Sequence, residues 1–243
     1  MFTRQITVQP SDVSSQGIIK LRSLLNYFQD TASIAVADIE GNTTEFVSRG
    51  YSWVLTRYEI EFIGKLPELD ENFTLTTYHD PSHGYNTFRV FHLNSHDGTP
   101  SVYAKTSWLL LDLAAGRPVK PASHLPEILS RDTEDISPDF RDIPEYYGET
   151  VRSITFPVRF HDIDYNSHVN NAAYFEWVHD YSPVDLNNYS LKSISASFRS
   201  GAKLGENITL DFSQDDSTTL CRIVREGVKK PSANFVCVWQ KEE

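Results

Sequence analysis

The sequence predicts an α+β protein built as two copies of one plan, each copy an antiparallel sheet against a single long helix. Three observations carry that expectation. The order strand, helix, four strands reads twice along the 243 residues. One helix for every five strands is too few to cover both faces of a parallel sheet, but it suits an antiparallel sheet with a helix on one face. The strand-like runs are parted by short clusters of Gly, Pro, Asn, Asp and Ser, the chemistry of tight turns.

In the first copy, Arg4 to Val8 reads as a strand. Leu21, Leu24, Leu25 and Phe28 then recur at i, i+3, i+4 and i+7, which puts one apolar face on a helix running to about Gly41. Four strands follow near 51–62, 72–79, 86–95 and 101–112, with turns at Lys65–Glu68, Asp80–Gly84 and Ser95–Pro100. The second copy opens with a strand near 153–160 and a helix from about Asn170 to Asp180. Its four strands lie near 191–199, 206–213, 218–225 and 233–239, broken at Gly201–Gly205, Gln214–Ser217 and Gly227–Pro231. Between the copies, Pro118, Pro121, Pro126, Pro138 and Pro144 stand among many acids, the composition of a joining segment. The expected organisation is 1–113, a linker over 114–150, and 151–243. Aligning the two helices places Leu21 opposite Val169. With a few residues' offset, Asp12, Ser14 and Gln16 then stand where Asp164, Asn166 and His168 stand.

The segment RFHDIDYNSHVNNAAYFEW, Arg159 to Trp177, concentrates the chemistry of the chain. Asp162, Asp164, Asn166 and His168 alternate, and an apolar-periodic helix follows. Alternate side chains of an extended strand share a side, so a strand continuing to His168 brings Asp164, Asn166 and His168 together. Just beyond, Val169 and Asn170 sit where a helix start offers unpaired N–H groups and partial positive charge to a developing oxyanion. Asn and Asp are also the residues of turns and caps, and Asp162 is read as a structural cap.

Composition narrows the function class. The net charge is −11, from 22 Lys and Arg against 33 Asp and Glu. Residues 1–150 hold 12 cations against 21 acids and residues 151–243 hold 10 against 12, so the second copy is nearly neutral. An acidic chain with no basic stripe is a poor nucleic-acid binder. Cys221 and Cys237 are too few for a disulfide framework, and neither a CxxC nor a Cys/His metal spacing occurs, so no metal or cofactor is expected. The N-terminal MFTRQITVQP has neither a signal-length apolar run nor an Arg/Ser-rich lead, and no window approaches a membrane span. A cytoplasmic protein is the expectation.

The run DxDxNxHVNNxxYxxW, with Tyr174 and Trp177 at i and i+3, resembles the second half of the acyl-acyl carrier protein thioesterases. The likeness extends to the first half: SWVLTRYEIEF (Ser52 to Phe62), TSWLLLDLAAGRPV (Thr106 to Val119) and LLNYFQDTAS (Leu24 to Ser33) resemble that family's strands and first helix. The resemblance implies a tandem, or double, hotdog, in which each sheet wraps around one helix. It further implies a bacterial type, since plant members carry a plastid transit peptide, and a first half that serves as structure and acyl-chain wall. Carried over residue by residue, it implies Asp164, Asn166 and His168 as the catalytic set. Asn166 would polarise a reacting oxygen, and His168 would move a proton, because a histidine side chain ordinarily titrates near neutral pH. Asp164 would orient these groups or act as base or nucleophile.

One departure stands out. Where relatives carry a catalytic glutamate and then a cysteine, this chain reads SFRSGAKLGEN, with Gly201 and Ala202 at those positions. Glu176 and Glu206 are the candidate substitute carboxylates. Lys192, Arg199, Lys203, Arg222, Arg225, Lys229 and Lys230 supply most of the second half's positive charge and are the candidate docking residues for an acidic acyl carrier protein. The alternatives are a hotdog enzyme acting on acyl-coenzyme A, as thioesterase or hydratase, and a catalytically silent acyl-thioester-binding protein. The hydratase run has His five residues after Asp with a proline between. Here His168 follows Asp164 by four with none. A single chain already mimics the usual hotdog dimer, and a homodimer is equally allowed.

Overall fold

Among the described side chains of helix α1 (Leu21–Glu40), Leu24, Leu25, Phe28 and Thr31 are buried, one stripe at helical spacing. They face a sheet whose strands alternate buried and half-exposed residues. The computed structural model describes residues 1–40, 43–124, 139–144 and 148–242. It divides into two units, Met1–Asp139 and Phe140–Glu243.

In the first unit the strands are β1 (Phe2–Thr7), β2 (Tyr51–Phe62), β3 (Asn72–His83), β4 (Asn86–Ser95), β5 (Pro100–Asp112) and β6 (Arg117–Val119). Their order is β1-β3-β4-β5-β2, with β6 on β5, and the pairings within the unit are antiparallel. Phe28 of α1 stacks on Phe91 of β4 with ring centroids 4.9 Å apart. A short helix α2 (Thr43–Ser48) follows α1, and its Phe46 stacks on Trp53 beside buried Leu110. Part of the expected 114–150 linker is structured: β6 and helix α3 (Pro121–His124) belong to the first unit. Residues 125–138 and 145–147 of that linker lie outside the described residues.

The second unit holds β7 (Arg152–Pro157), helix α4 (Asn171–Asp180), β8 (Tyr189–Phe198), β9 (Asn207–Asp215), β10 (Thr218–Arg225) and β11 (Ala233–Lys241). Its antiparallel order is β8-β11-β10-β9-β7. Asn170 caps α4, its side-chain oxygen accepting the Ala172 N–H at 2.8 Å. Ala172, Ala173, Tyr174, Phe175, Trp177 and Val178 are buried, and Phe175 packs edge-on against Phe235 of β11, 5.0 Å between centroids. Among the described residues no helix is long and apolar enough to cross a membrane.

Between the first strand and the helix, both units fold the chain in the same way. In the second, Arg159 N–H donates to Asp162 Oδ2 (2.8 Å), Asp164 N–H to His168 O (2.8 Å), Ser167 N–H to Asp164 O (3.1 Å) and Asn170 N–H to Asp162 O (2.8 Å). In the first, the same bonds join Gln9 to Asp12 (2.9 Å), Ser14 to Ile18 (2.9 Å), Gly17 to Ser14 (3.0 Å) and Lys20 to Asp12 (2.8 Å). The bridge Ile163–Val169 likewise matches Val13–Ile19. The two copies therefore correspond at a constant spacing. Ser14, Gln16 and Ile18 stand where Asp164, Asn166 and His168 stand, and Leu21 stands opposite Asn171. The alignment expected from helix hydrophobicity was two residues out.

Asp162 has no solvent exposure, and its two oxygens accept the Arg159 backbone N–H, Nε–H and Nη2–H. It is the structural cap expected. Asp162→Ala removes charge-assisted bonds that tie the turn to β7. It is expected to lower the free energy of unfolding by about 2–3 kcal/mol, read as a lower urea midpoint at unchanged m-value.

Candidate active site

The residues around His168 are brought together by a turn, not by the strand expected from their alternation. Asp164, Tyr165, Asn166 and Ser167 form a tight reversal, closed by the two bonds between Asp164 and the Ser167–His168 end. Ser167 supplies the left-handed residue that such a turn needs, at φ 62°, where the first copy uses Gly17 at φ 78°. Asp164 Oδ1 accepts the backbone N–H of Asn166 (2.8 Å) and, more weakly, of His168 (3.5 Å). This carboxylate organises the turn, as Ser14 Oγ does in the first copy by accepting the Gln16 N–H at 3.2 Å. Asn166 and His168 are exposed at the tip, and Asp164 is half-buried.

His168 Nδ1 lies 2.9 Å from Asn166 O. A carbonyl oxygen only accepts, so Nδ1 carries the proton and the lone pair of the neutral ring sits on Nε2. That is the tautomer of a general base whose reacting nitrogen is turned away from its anchor.

Two expected oxyanion donors are not available. The Val169 N–H donates to Ala202 O (2.9 Å), and the Asn170 N–H donates to Asp162 O (2.8 Å). Both groups close the turn onto its neighbours, which is why an open helix start, read from sequence, was the wrong picture for them.

Gly201 does lie at the site. A Cβ built on it would meet His168 Cδ2 at 3.0 Å, so the glycine backbone is seated against the imidazole edge that carries Nε2. Its φ is not in the left-handed region, so the backbone itself would accept a side chain. Of the candidate substitute carboxylates, Glu206 is occupied. Its Oε2 accepts the Lys203 N–H at 2.9 Å and faces Arg225 Nη1 at 3.5 Å. Glu71 makes the same bond to the Glu68 N–H, 2.9 Å, in the copy where Ile18 stands in place of His168, which marks this carboxylate as part of the turn. Glu176 acts on Arg159, adding to Asp162 in stabilising its cation.

The loop carrying Gly201 is held on two sides. Tyr174 Oη accepts the Ala202 N–H at 2.9 Å, and burial pushes this phenol up to about 12. Arg225 reaches Ser232 Oγ with Nε (3.2 Å) and Ser200 Oγ with Nη2 (3.3 Å). Neither clamp was read from the sequence. Tyr174 was read only as one of the motif's aromatic pair with Trp177, and the correct pairing of the copies, Tyr174 with Leu24, sets it apart.

The cationic residues divide as well. Arg222 is paired with Asp211 at 2.8 Å and Arg225 is in the clamp, so neither is a docking charge. Lys192 lies near the start of β8. Arg199 and Lys203 follow its end, and Lys229 and Lys230 lie in the β10–β11 turn. These last four gather where β7 ends and β9 begins, the end of the sheet that bears the turn. Phe160 and Tyr165, between β7 and α4, and Leu204, between β8 and β9, are exposed. Cys221 and Cys237 are buried, and burial raises both thiols, which leaves no thiolate nucleophile there. Among the described residues no group of His, Cys, Asp and Glu is arranged to hold a metal.

Family models of the acyl-ACP thioesterases match almost the whole chain: the N-terminal domain over residues 1–129 and the C-terminal domain over 148–240. A chloroplastic acyl-[acyl-carrier-protein] hydrolase of Cuphea viscosissima is 23% identical over 219 residues, 82% of this chain and 52% of the relative. A chloroplastic palmitoyl-acyl carrier protein thioesterase of Arabidopsis thaliana is 24% identical over 219 residues, with the same shares. The chain thus spans about half the length of these plant relatives. Among solved structures, an acyl-ACP thioesterase from Bacteroides thetaiotaomicron superposes with TM-score 0.85 at 20% identity, covering 98% of this chain and 97% of that one. The 12:0-ACP thioesterase of Umbellularia californica gives 0.86 at 14%, covering 99% and 97%. The fold is the expected double hotdog.

Gly201→Ala is expected to lower kcat several-fold in a folded protein, because the added methyl displaces a ring that Asn166 O anchors. Gly201→Glu should fall with it rather than gain from the new carboxylate. Steady-state kinetics beside thermal melts would show this, and a rise in kcat for Gly201→Glu would show that the ring yields.

Proposed function

Because the chain belongs to the acyl-ACP thioesterase family, we propose that it hydrolyses fatty acyl thioesters of acyl carrier protein to free fatty acid and carrier. The observation that carries this reading is the placement of His168: Nδ1–H held by Asn166 O, on an exposed turn, which leaves the lone pair on Nε2.

In this reading His168 Nε2 takes a proton from water as the water oxygen bonds to the acyl carbon. The Asn166 amide polarises the thioester oxygen in the meantime. The tetrahedral intermediate collapses by breaking the C–S bond, and the proton on His168 passes to the departing thiolate. Asp164 contributes by keeping the turn closed. A thiolate leaves readily, which lessens the demand for the carboxylate that relatives place at Gly201. The two buried, unpaired cysteines suit the reducing cytoplasm in which carrier-bound acyl chains are made.

The test is a single-turnover assay on a long-chain acyl-acyl carrier protein, run beside the acyl-coenzyme A of the same chain. His168→Ala and Asp164→Ala are expected to lower the rate by ~10²-fold, and near-wild-type turnover in both folded variants would remove the site. A wild type that binds acyl carrier protein but turns over neither substrate would favour the silent binding protein suggested by Gly201.

The carrier is expected to be the better substrate, by a margin that shrinks with salt. Arg199, Lys203, Lys229 and Lys230 steer an acidic partner over roughly a Debye length of ~8 Å, and Phe160, Tyr165 and Leu204 offer it apolar contact. Equal kcat/KM on both substrates at low ionic strength would argue against carrier docking at this face.

A further inference from the structure

The two copies differ at one buried hydrogen bond. In the second, the Ala202 N–H donates to Tyr174 Oη at 2.9 Å, while Ala202 O accepts the Val169 N–H at 2.9 Å. In the first, Pro67 O accepts the Ile19 N–H at 3.0 Å in the same way, so Pro67 corresponds to Ala202. Leu24 corresponds to Tyr174, six residues past Ile18 as Tyr174 is six past His168. Leu has no hydroxyl and Pro has no N–H, so donor and acceptor are both missing where the histidine is missing. Leu24 is as deeply buried as Tyr174, which means the fold accommodates this corner without the bond.

From this we infer that Tyr174 is a positioning residue for His168, acting through Ala202 and Gly201. The residue next to Ala202 in the chain is Gly201, whose backbone lies against His168 Cδ2. Fixing Ala202 from both sides, N–H to Tyr174 and O to Val169, sets where that backbone stops and therefore where Nε2 points. The phenol suits the task. Burial keeps it un-ionised, and the accepting oxygen sits on a helix whose N-cap, Asn170, closes the same turn. The Arg225 clamp on Ser200 holds the loop from its other side. The inference rests on the hydrolase reading for its benefit to catalysis, but the geometry it describes belongs to His168 whatever the reaction.

The test reproduces the first copy's lack of both donor and acceptor. Tyr174→Phe alone leaves a buried N–H without a partner and destabilises for that reason, so the deciding variant is Tyr174→Phe with Ala202→Pro, which removes donor and acceptor together. It is expected to melt near the wild type while kcat on an acyl-acyl carrier protein falls by ~10-fold at a KM within about twofold. The His168 ring proton on Cδ2, followed by NMR through a pH titration, is expected to shift or broaden. A merely structural bond would change the melting temperature and leave that resonance alone. An unmoved resonance in the folded double variant overturns the inference, as does an unmoved kcat on a substrate the wild type hydrolyses. A moved resonance in a protein that hydrolyses no thioester would sustain the positioning role and sink the hydrolase reading instead.

Discussion

Everything at the site depends on a few backbone hydrogen bonds that close residues 158–170 between β7 and α4. Asn170 N–H to Asp162 O and Asp164 N–H to His168 O leave the chain no freedom to run on as a strand. Buried Asp162, gripped by Arg159, anchors the start of the turn, and Asn170 begins the helix at its end. Within that frame Asn166 O can reach His168 Nδ1 only because Ser167 adopts a left-handed conformation, at a cost on the order of 1 kcal/mol. The strain sits next to the imidazole, where a rigid presentation of the ring is the return.

The internal duplication acts as a control on what each residue does. Bonds present in both copies, such as Glu206 to the Lys203 N–H and Glu71 to the Glu68 N–H, belong to the fold. Groups present in one copy only, His168 against Ile18 and Tyr174 against Leu24, are free of that duty and stand as candidates for a role at the site. Asp164 falls between. Its turn-forming bond is shared with Ser14, but its charge is not. Gly201 packs closely on the His168 imidazole, so a side chain at this position would displace the ring.

The strands and the two main helices were legible in the sequence because period and turn chemistry agree over long runs, from Leu21–Phe28 to the alternation of β8–β11. α2, β6 and α3 were missed. At three to six residues they are too short to show a period. At the site, residue identity was legible and geometry was not. Asp164, Asn166 and His168 alternate like a strand, but Asp, Asn and Ser side chains satisfy their own backbone, and that local preference prevailed. The same competition hid the fate of the Val169 and Asn170 N–H groups, whose acceptors are brought near only by the folded loop. Ion pairs such as Arg222 with Asp211 are set by strand register, which a list of cations does not contain.

The turn's hold on His168 Nδ1 through Asn166 O is what the proposed chemistry depends on. Long-range proton–nitrogen NMR on ¹⁵N-histidine-labelled protein, above the pH at which the ring is neutral, reads this directly. His168 is expected to be the Nδ1-protonated tautomer and to lose that preference when the turn is opened by Asp164→Ala. A His168 ring protonated on Nε2, or one averaging freely between tautomers in the intact protein, would contradict it.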